Sequence, residues 1–307
     1  MKGKRVMRKI LIVSSVLFSS ANVLGVSLNG SNNTNERNLA LASVDDQQLT
    51  DTASIETDSS DLNREKKIQE DFSKLLIAIR EGKLEEIEEI IGYSDASTPH
   101  VSNIKLVNLV DNDGNTPLLW AARKGDTEIA KYLVEHDADV NQANRKGRTP
   151  LFFAVLRGNI KLVEYLVTNG SNVNQEDEDE DTPLCWAVEE ESSAIVKYLA
   201  EHGADINKKD EDGDTLLWSA IGINNTEIIK HLVEHGANVD IGDSRGKPPL
   251  IGAIAKGNLE IVKCLVVHGA NVNQPTKSGL TPLKGAKAIA RGNLEIIKYL
   301  EEHGAKE

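Results

Sequence analysis

The chain has 307 residues, 48 acidic against 35 basic side chains, a formal net charge of −13, and 39% apolar but only 4% aromatic residues. A surface of that sign repels polyphosphate, and no Lys/Arg block beyond the first nine residues reverses it locally, which argues against nucleic-acid binding. Two cysteines cannot build a disulfide scaffold, and no apolar run approaches the ~20 residues that a membrane-spanning helix needs.

Residues 2–9 (KGKRVMRK) carry five positive charges, Ile10 to Phe18 (ILIVSSVLF) form a short apolar stretch, and the small residues Ser19, Ser20 and Ala21 follow. That order marks residues 1–21 as a secretory signal peptide. Cleavage after Ala21 puts Ser19 and Ala21 where a signal peptidase requires small side chains; Gly25 is a second candidate. An uncleaved anchor would need a longer apolar run than this one, which two serines interrupt. No cysteine follows the run to accept a lipid, and Arg5 and Arg8 do not form a twin pair. General secretory export of a bacterial protein, to the periplasm or beyond, is therefore expected. Residues 22–70 are rich in Ser, Asn, Thr, Asp and Gln without apolar periodicity, which predicts a disordered polar linker.

The remainder repeats at a shift of 33 residues, with TPLLWAA from Thr116, TPLFFAV from Thr149, TPLCWAV from Thr182, TLLWSAI from Thr215, PPLIGAI from Pro248 and TPLKGAK from Thr281. Matching second segments follow, from EIAKYLVEHDADVN to EIIKYLEEHGAKE, the last delayed by a two-residue insertion before Gly292. Threonine before proline starts a helix, because its hydroxyl caps free N–H groups and proline at the first helical position loses no bond. Leu and Ala, two and five positions after the Thr, place one apolar stripe on that helix. Gly125, Gly158 and Gly257 then end first helices, and Gly170, Gly203, Gly236, Gly269 and Gly304 end second ones, as left-handed caps. One such unit cannot bury its own stripe, so the units must stack.

These residues resemble the ankyrin repeat over Asp111–Glu307, with a weaker copy reaching back to Asp71. The resemblance implies an all-α solenoid of stacked helix-turn-helix units with short β-hairpin tips, six full repeats over 111–307. Residues 71–110 then form a degenerate N-terminal capping repeat with a ten-residue insertion, Gly82 aligning on Gly125, Leu75 on Leu118, Ala78 on Ala121 and Ile90 on Leu133. Where the family usually carries a bridging histidine, this chain has Leu119, Phe152, Cys185, Trp218, Ile251 and Lys284, so apolar packing replaces that polar network. In the third repeat Glu180 and Glu191 stand where glycine is expected, at about 1 kcal/mol each if left-handed. Asp137 and Asn224 replace glycine too, with residue types that visit that region more readily.

The sequence HLVEH from His231 formally matches a zinc-protease signature, but it falls on the repeat's Glu-His-Gly ending, so no metal site is expected. An EF-hand alignment through Gly213 puts Lys208 and Ser219 on ligand positions and fails. Cys185 and Cys264 lie two repeats apart and read as core thiols. There is no GxSxG, phosphate-cradling glycine loop or HExxH. No catalytic residue, metal or cofactor is therefore assigned, and a monomeric, non-catalytic module binding another protein is expected.

The family grips partners by its concave face of hairpin tips and first helices. There the first two repeats present Arg123, Lys124, Arg145, Lys146, Arg148 and Arg157. The next two present Glu178, Asp179, Asp181, Glu189, Glu190, Glu211, Asp212 and Asp214, and the fifth returns to Arg245, Lys247 and Lys256. Such a succession suits a partner of complementary charge; alternatively, neighbouring blocks neutralise one another. Trp120, Trp186, Trp218, Phe152 and Phe153 on the first helices are either binding anchors or, in better agreement with their register, packing between helices. A passive scaffold without a specific partner is the alternative to the binding module.

Overall fold

The computed structural model describes residues 59–97, 106–210, 212–289 and 294–307, which lie within one compact unit, Thr57–Glu307. The signal-peptide reading and residues 22–58 of the linker fall outside the described residues. The described chain opens with α1 (Ser59–Glu81), α2 (Leu84–Ser97) and a 3-10 turn at Leu106–Asn108. Six helix pairs follow: α3 (Pro117–Lys124) with α4 (Thr127–Glu135), α5 (Pro150–Leu156) with α6 (Ile160–Thr168), and α7 (Pro183–Glu189) with α8 (Ser193–Glu201). They continue with α9 (Leu216–Ile223) and α10 (Thr226–Glu234), α11 (Pro249–Lys256) and α12 (Leu259–Val267), and α13 (Pro282–Ala288) and α14 (Leu294–Glu302). First helices pack on first helices and second on second, repeat after repeat, while each pair closes on itself.

The helices start and stop where the local chemistry directs. The hydroxyls of Thr116, Thr182, Thr215 and Thr281 each accept the backbone N–H three residues on. Thr149 makes no such bond and Pro248 has no hydroxyl, so α5 and α11 rely on proline alone. Asp126, Asn159, Asn225 and Asn258 cap second helices in the same way. The expected glycine caps are all left-handed, and so are Asp137, Glu180, Glu191 and Asn224. Inside the stack, Leu118, Leu151 and Leu184 and their partners Ala121, Ala154 and Ala187 are wholly buried. The residues in the histidine position are buried at Leu119, Phe152, Cys185 and Ile251, half-buried at Trp218, and exposed at Lys284 of the last repeat. Burial pushes the Cys185 thiol up to about 11, which leaves it protonated and unreactive at neutral pH.

The tips differ from the expected β-hairpins. Each is a five-residue turn, and the only bridge among the described residues joins Lys209 to Thr215. The reason lies in the first residue of each turn: Asp111, Asn144, Asp177, Asp210 and Asp243 each accept, on one side-chain oxygen, the backbone N–H groups two and four residues on. Such side-chain bonds compete with strand pairing and close the turn locally.

A second polar ladder joins the repeats. Asn108, Asn141, Asn174 and Asn207 each accept a backbone N–H of the next repeat on Oδ1, from Asp139, Asn172, Asp205 and Asn238. Their Nδ2 groups donate to the carbonyls of Asp137, Gly170, Gly203 and Gly236. Asp240 occupies the next rung, accepting from Asn271 at 2.9 Å, but a carboxylate cannot supply the donating arm.

At the N-terminal end α1 packs on α2 and on α3. It begins at Ser59, inside the stretch expected to be linker, because Ile68 continues by one turn the stripe of Phe72, Leu75 and Ile79. On α2 the buried residues are Ile87 and Ile91, and Ile90 is only half-buried, so the alignment of Ile90 on Leu133 is off by one position.

Two stability changes test this account. Asn174→Ala removes both arms of one rung and is expected to lower unfolding free energy by about 1–3 kcal/mol. Glu191→Gly relieves a left-handed side chain (φ 56) that costs ~1–2 kcal/mol. Part of that gain is lost to the greater freedom of unfolded glycine, leaving a rise of roughly 0.5–1 kcal/mol. Urea titration of both variants measures these shifts, and an unchanged midpoint for either contradicts the role given to it.

Candidate functional site

The side chains that vary most between repeats stand on the turns and along the outer edge of the first helices, held there by the frame. The structure gives several of the charged residues on this face a role in the fold. Lys146 pairs with Glu178 at 3.4 Å, Arg148 with Asp177 at 3.1 Å and Asp179 at 3.8 Å, and Lys208 with Glu176 at 2.6 Å. The basic block of the second repeat and the acidic block of the third thus partly neutralise one another across their boundary.

The centre of that boundary is the Arg148–Asp177 pair. The Asp177 side chain is fully buried, and its Oδ1 accepts the N–H groups of Asp179 and Asp181 while Oδ2 faces Arg148 Nε. The guanidinium carbon also sits 5.0 Å from the ring centre of Trp186. Asp181, expected on the surface, is itself buried, because its N–H closes the turn on Asp177. Asp214 is half-buried and its Oδ1 accepts from Ser244 N of the next tip. Asp212 and Arg145 are exposed, Glu189 and Glu190 half-buried, and Glu211 lies outside the described residues.

A regular use of cations emerges at the ends of the first helices, one that composition and charge order alone did not reveal. Arg157 Nε donates to the carbonyl of Arg123 at 2.6 Å, Lys256 Nζ to that of Gly222 at 2.6 Å, and Lys124 Nζ to that of Ile79 at 3.3 Å. Each cation thus caps the carbonyl end of the preceding helix, where the helix dipole favours positive charge. Arg123 is half-buried over Trp120, and its burial together with the nearby Arg157 charge draws its pKa below the ordinary guanidinium value. In the third repeat the equivalent position is Glu190, in the fourth Ile223 and in the sixth Ile289.

The aromatic residues mainly pack. Phe152, Phe153 and Trp186 are buried, and Trp218 lies so close over Gly252 that any Cβ there would collide with its ring. Between α5 and α7, however, they leave a small shallow cleft, open to solvent and lined by Arg148, Phe152, Phe153, Leu156 and Trp186.

No three His, Cys, Asp or Glu side chains among the described residues gather closely enough to hold a metal ion. In the HLVEH segment, His235 Nδ1 lies 2.8 Å from the carbonyl of His231; a carbonyl only accepts, so that nitrogen carries the proton and serves as a helix cap. Cys185 and Cys264 are both buried free thiols. No described helix is long and apolar enough to cross a membrane.

Because Asp177 cannot reach water, removing its partner is expected to be costly. Arg148→Ala should destabilise the protein by about 2–4 kcal/mol, whereas Arg145→Ala on the same tip should change stability by no more than ~0.5 kcal/mol. Equal urea midpoints for the two variants would refute the special place of Arg148.

The profile described as "Ankyrin repeats (3 copies)" matches residues 75–177, 142–210, 169–243 and 216–307 in overlapping placements. Among solved structures, the chain is similar to the ankyrin repeat domain of Bcl-3, a unique member of the IkappaB protein family, at 25% identity and a TM-score of 0.63, over 74% of this chain and 97% of that one. It is similar also to the human ASB11 ankyrin repeat domain, at 26% identity and a TM-score of 0.57, over 76% of this chain and 98% of that one. Ankyrin repeats are in general protein–protein interaction modules on a non-catalytic fold. With overlapping matches running from residue 75 to residue 307 and helix pairs stacked in repeat order, the chain belongs to the ankyrin-repeat family.

Proposed function

We propose that this protein is an exported, non-catalytic interaction module that holds a partner protein on the face made by its turns and first helices. The observation that carries the reading is the division of labour among side chains. Stripe, caps and asparagine rungs repeat with the period, whereas the exposed turn residues and the outer edge of the first helices change in size and charge from repeat to repeat. A passive scaffold would have no need of that variation. Export rests on the charged, apolar and small-residue order of residues 1–21.

Two measurements test the parts separately. A photo-crosslinking amino acid at Arg145 or Asp212, both exposed on turns, should capture one and the same protein in the native compartment. The same probe at Glu135 or Glu164, exposed on second helices, should not; capture from the second helices alone, or from neither set, overturns the binding face. N-terminal sequencing of the protein recovered outside the cytoplasm should start at Asn22, or at Val26 if Gly25 precedes the cut. An intact Met1 on a chain retained inside the cell overturns export.

A further inference from the structure

One stretch of the molecule carries the opposite sign to the whole. From Ser244 to Ile289 there are seven lysines and arginines and a single carboxylate, Glu260 on a second helix, in a protein of formal net charge −13. Five of those cations have places inside the stack or at its end. Lys256 caps the Gly222 carbonyl, Lys263 lies 5.8 Å from the ring centre of Tyr299, and Lys247 is half-buried with its Nζ 5.5 Å from the ring centre of Trp218. Lys287 pairs with Glu301 and Glu307, and Lys284 stands near the same Glu307. Arg245 and Lys277, by contrast, are exposed on consecutive turns, and their side chains hold no carboxylate or carbonyl among the described residues. The two turns sit together: the Lys277 stem lies over Gly246, so close that a Cβ there would meet it. Asp243, at the start of the same turn as Arg245, is occupied by the N–H groups of Arg245 and Lys247. Next to this pair the sixth repeat carries Leu280, 36% exposed, at the position that holds Asn115, Arg148, Asp181, Asp214 and Lys247 in the earlier repeats.

Resting on the binding reading above, we propose that the turns of the fifth and sixth repeats recognise a short acidic–apolar segment of the partner protein. Its carboxylates lie on Arg245 and Lys277, and an adjacent apolar side chain lies against Leu280. Charge complementarity selects the occupant, because two exposed cations side by side attract carboxylates and no contact of the fold has to break for the new pairs to form. Leu280 adds apolar area that the segment removes from water. The patch also has an edge. Asp212, which takes the place of Arg245 one repeat back, is exposed and repels carboxylates, so the segment runs from Arg245 towards the sixth repeat. A long polyanion would extend past that edge onto Asp212 and Glu178, which favours a short acidic peptide over nucleic acid.

The probe is a tetramethylrhodamine-labelled nonapeptide carrying Glu-Leu-Glu in a Gly-Ser frame, titrated with the full chain and followed by fluorescence anisotropy at about 0.15 M salt, where long-range attraction is screened. Saturable binding is expected. The double variant Arg245→Glu/Lys277→Glu should weaken it about tenfold or more, and Leu280→Ser, like replacement of the peptide leucine by glycine, roughly threefold or more. Lys161→Glu/Lys197→Glu, at exposed positions on second helices, changes net charge equally and should leave affinity unaltered. Helical circular dichroism of each variant confirms that the stack is intact. No saturable binding, an equal loss in the two double variants, or unchanged affinity for both Leu280→Ser and the leucine-free peptide each overturns the proposal, as does equally tight binding of a labelled single-stranded DNA of the same length. If the turn positions Arg145 and Asp212 still capture a native partner in any of those cases, the binding face stands and only this recognition step falls.

Discussion

No repeat in this protein owns a core. Leu118, Leu151 and Leu184 reach full burial only because the next pair of helices covers them, and the small Ala121, Ala154 and Ala187 set how closely that pair approaches. Cohesion therefore resides in the seams between neighbours rather than in any one unit. The asparagine rungs extend this dependence from the helices to the connecting backbone. Each side chain both donates and accepts across a seam, so it holds two loops at once and fixes their register. A fold held in this way makes few demands on the outward-facing residues, and those are the ones that vary.

The same constraint explains what could be read from the sequence. Stripe, proline starts and glycine stops recur every 33 residues because each copy solves the same packing problem, and the left-handed state of Glu180 and Glu191 follows from their place in that pattern. What escaped depends on contacts between copies. The asparagines of the rungs recur with the same period, but only the neighbour's backbone shows what they hold. Asp181 looked like a surface charge because the turn that buries it is closed by Asp177, four residues earlier. Ser59 was missed as the start of α1 because a single isoleucine, Ile68, carries the apolar stripe upstream of Phe72.

Charge order along the chain proved a poor map of charge on the surface. Arg148, Lys146, Arg157 and Lys256 read as a binding set, yet they hold carboxylates or carbonyls of adjacent repeats. Once those roles are subtracted, fewer charged residues remain for a partner, Arg145 and Asp212 on exposed turns among them.

The half-made rung at Asp240 has a consequence for how the molecule comes apart. A linear array need not unfold as one body; its ends can detach wherever the coupling between neighbours is weakest. Between the fourth and fifth repeats the clamp keeps its accepting arm, and Gln274 Nε2 adds a bond to the Asp240 carbonyl at 3.2 Å, but the side-chain donor found at the earlier rungs is missing. That seam divides the array into a longer N-terminal part, which contains the Arg148–Asp177 pair, and two C-terminal repeats. Those two repeats can fray while the seam held by Arg148 and Asp177 stays closed.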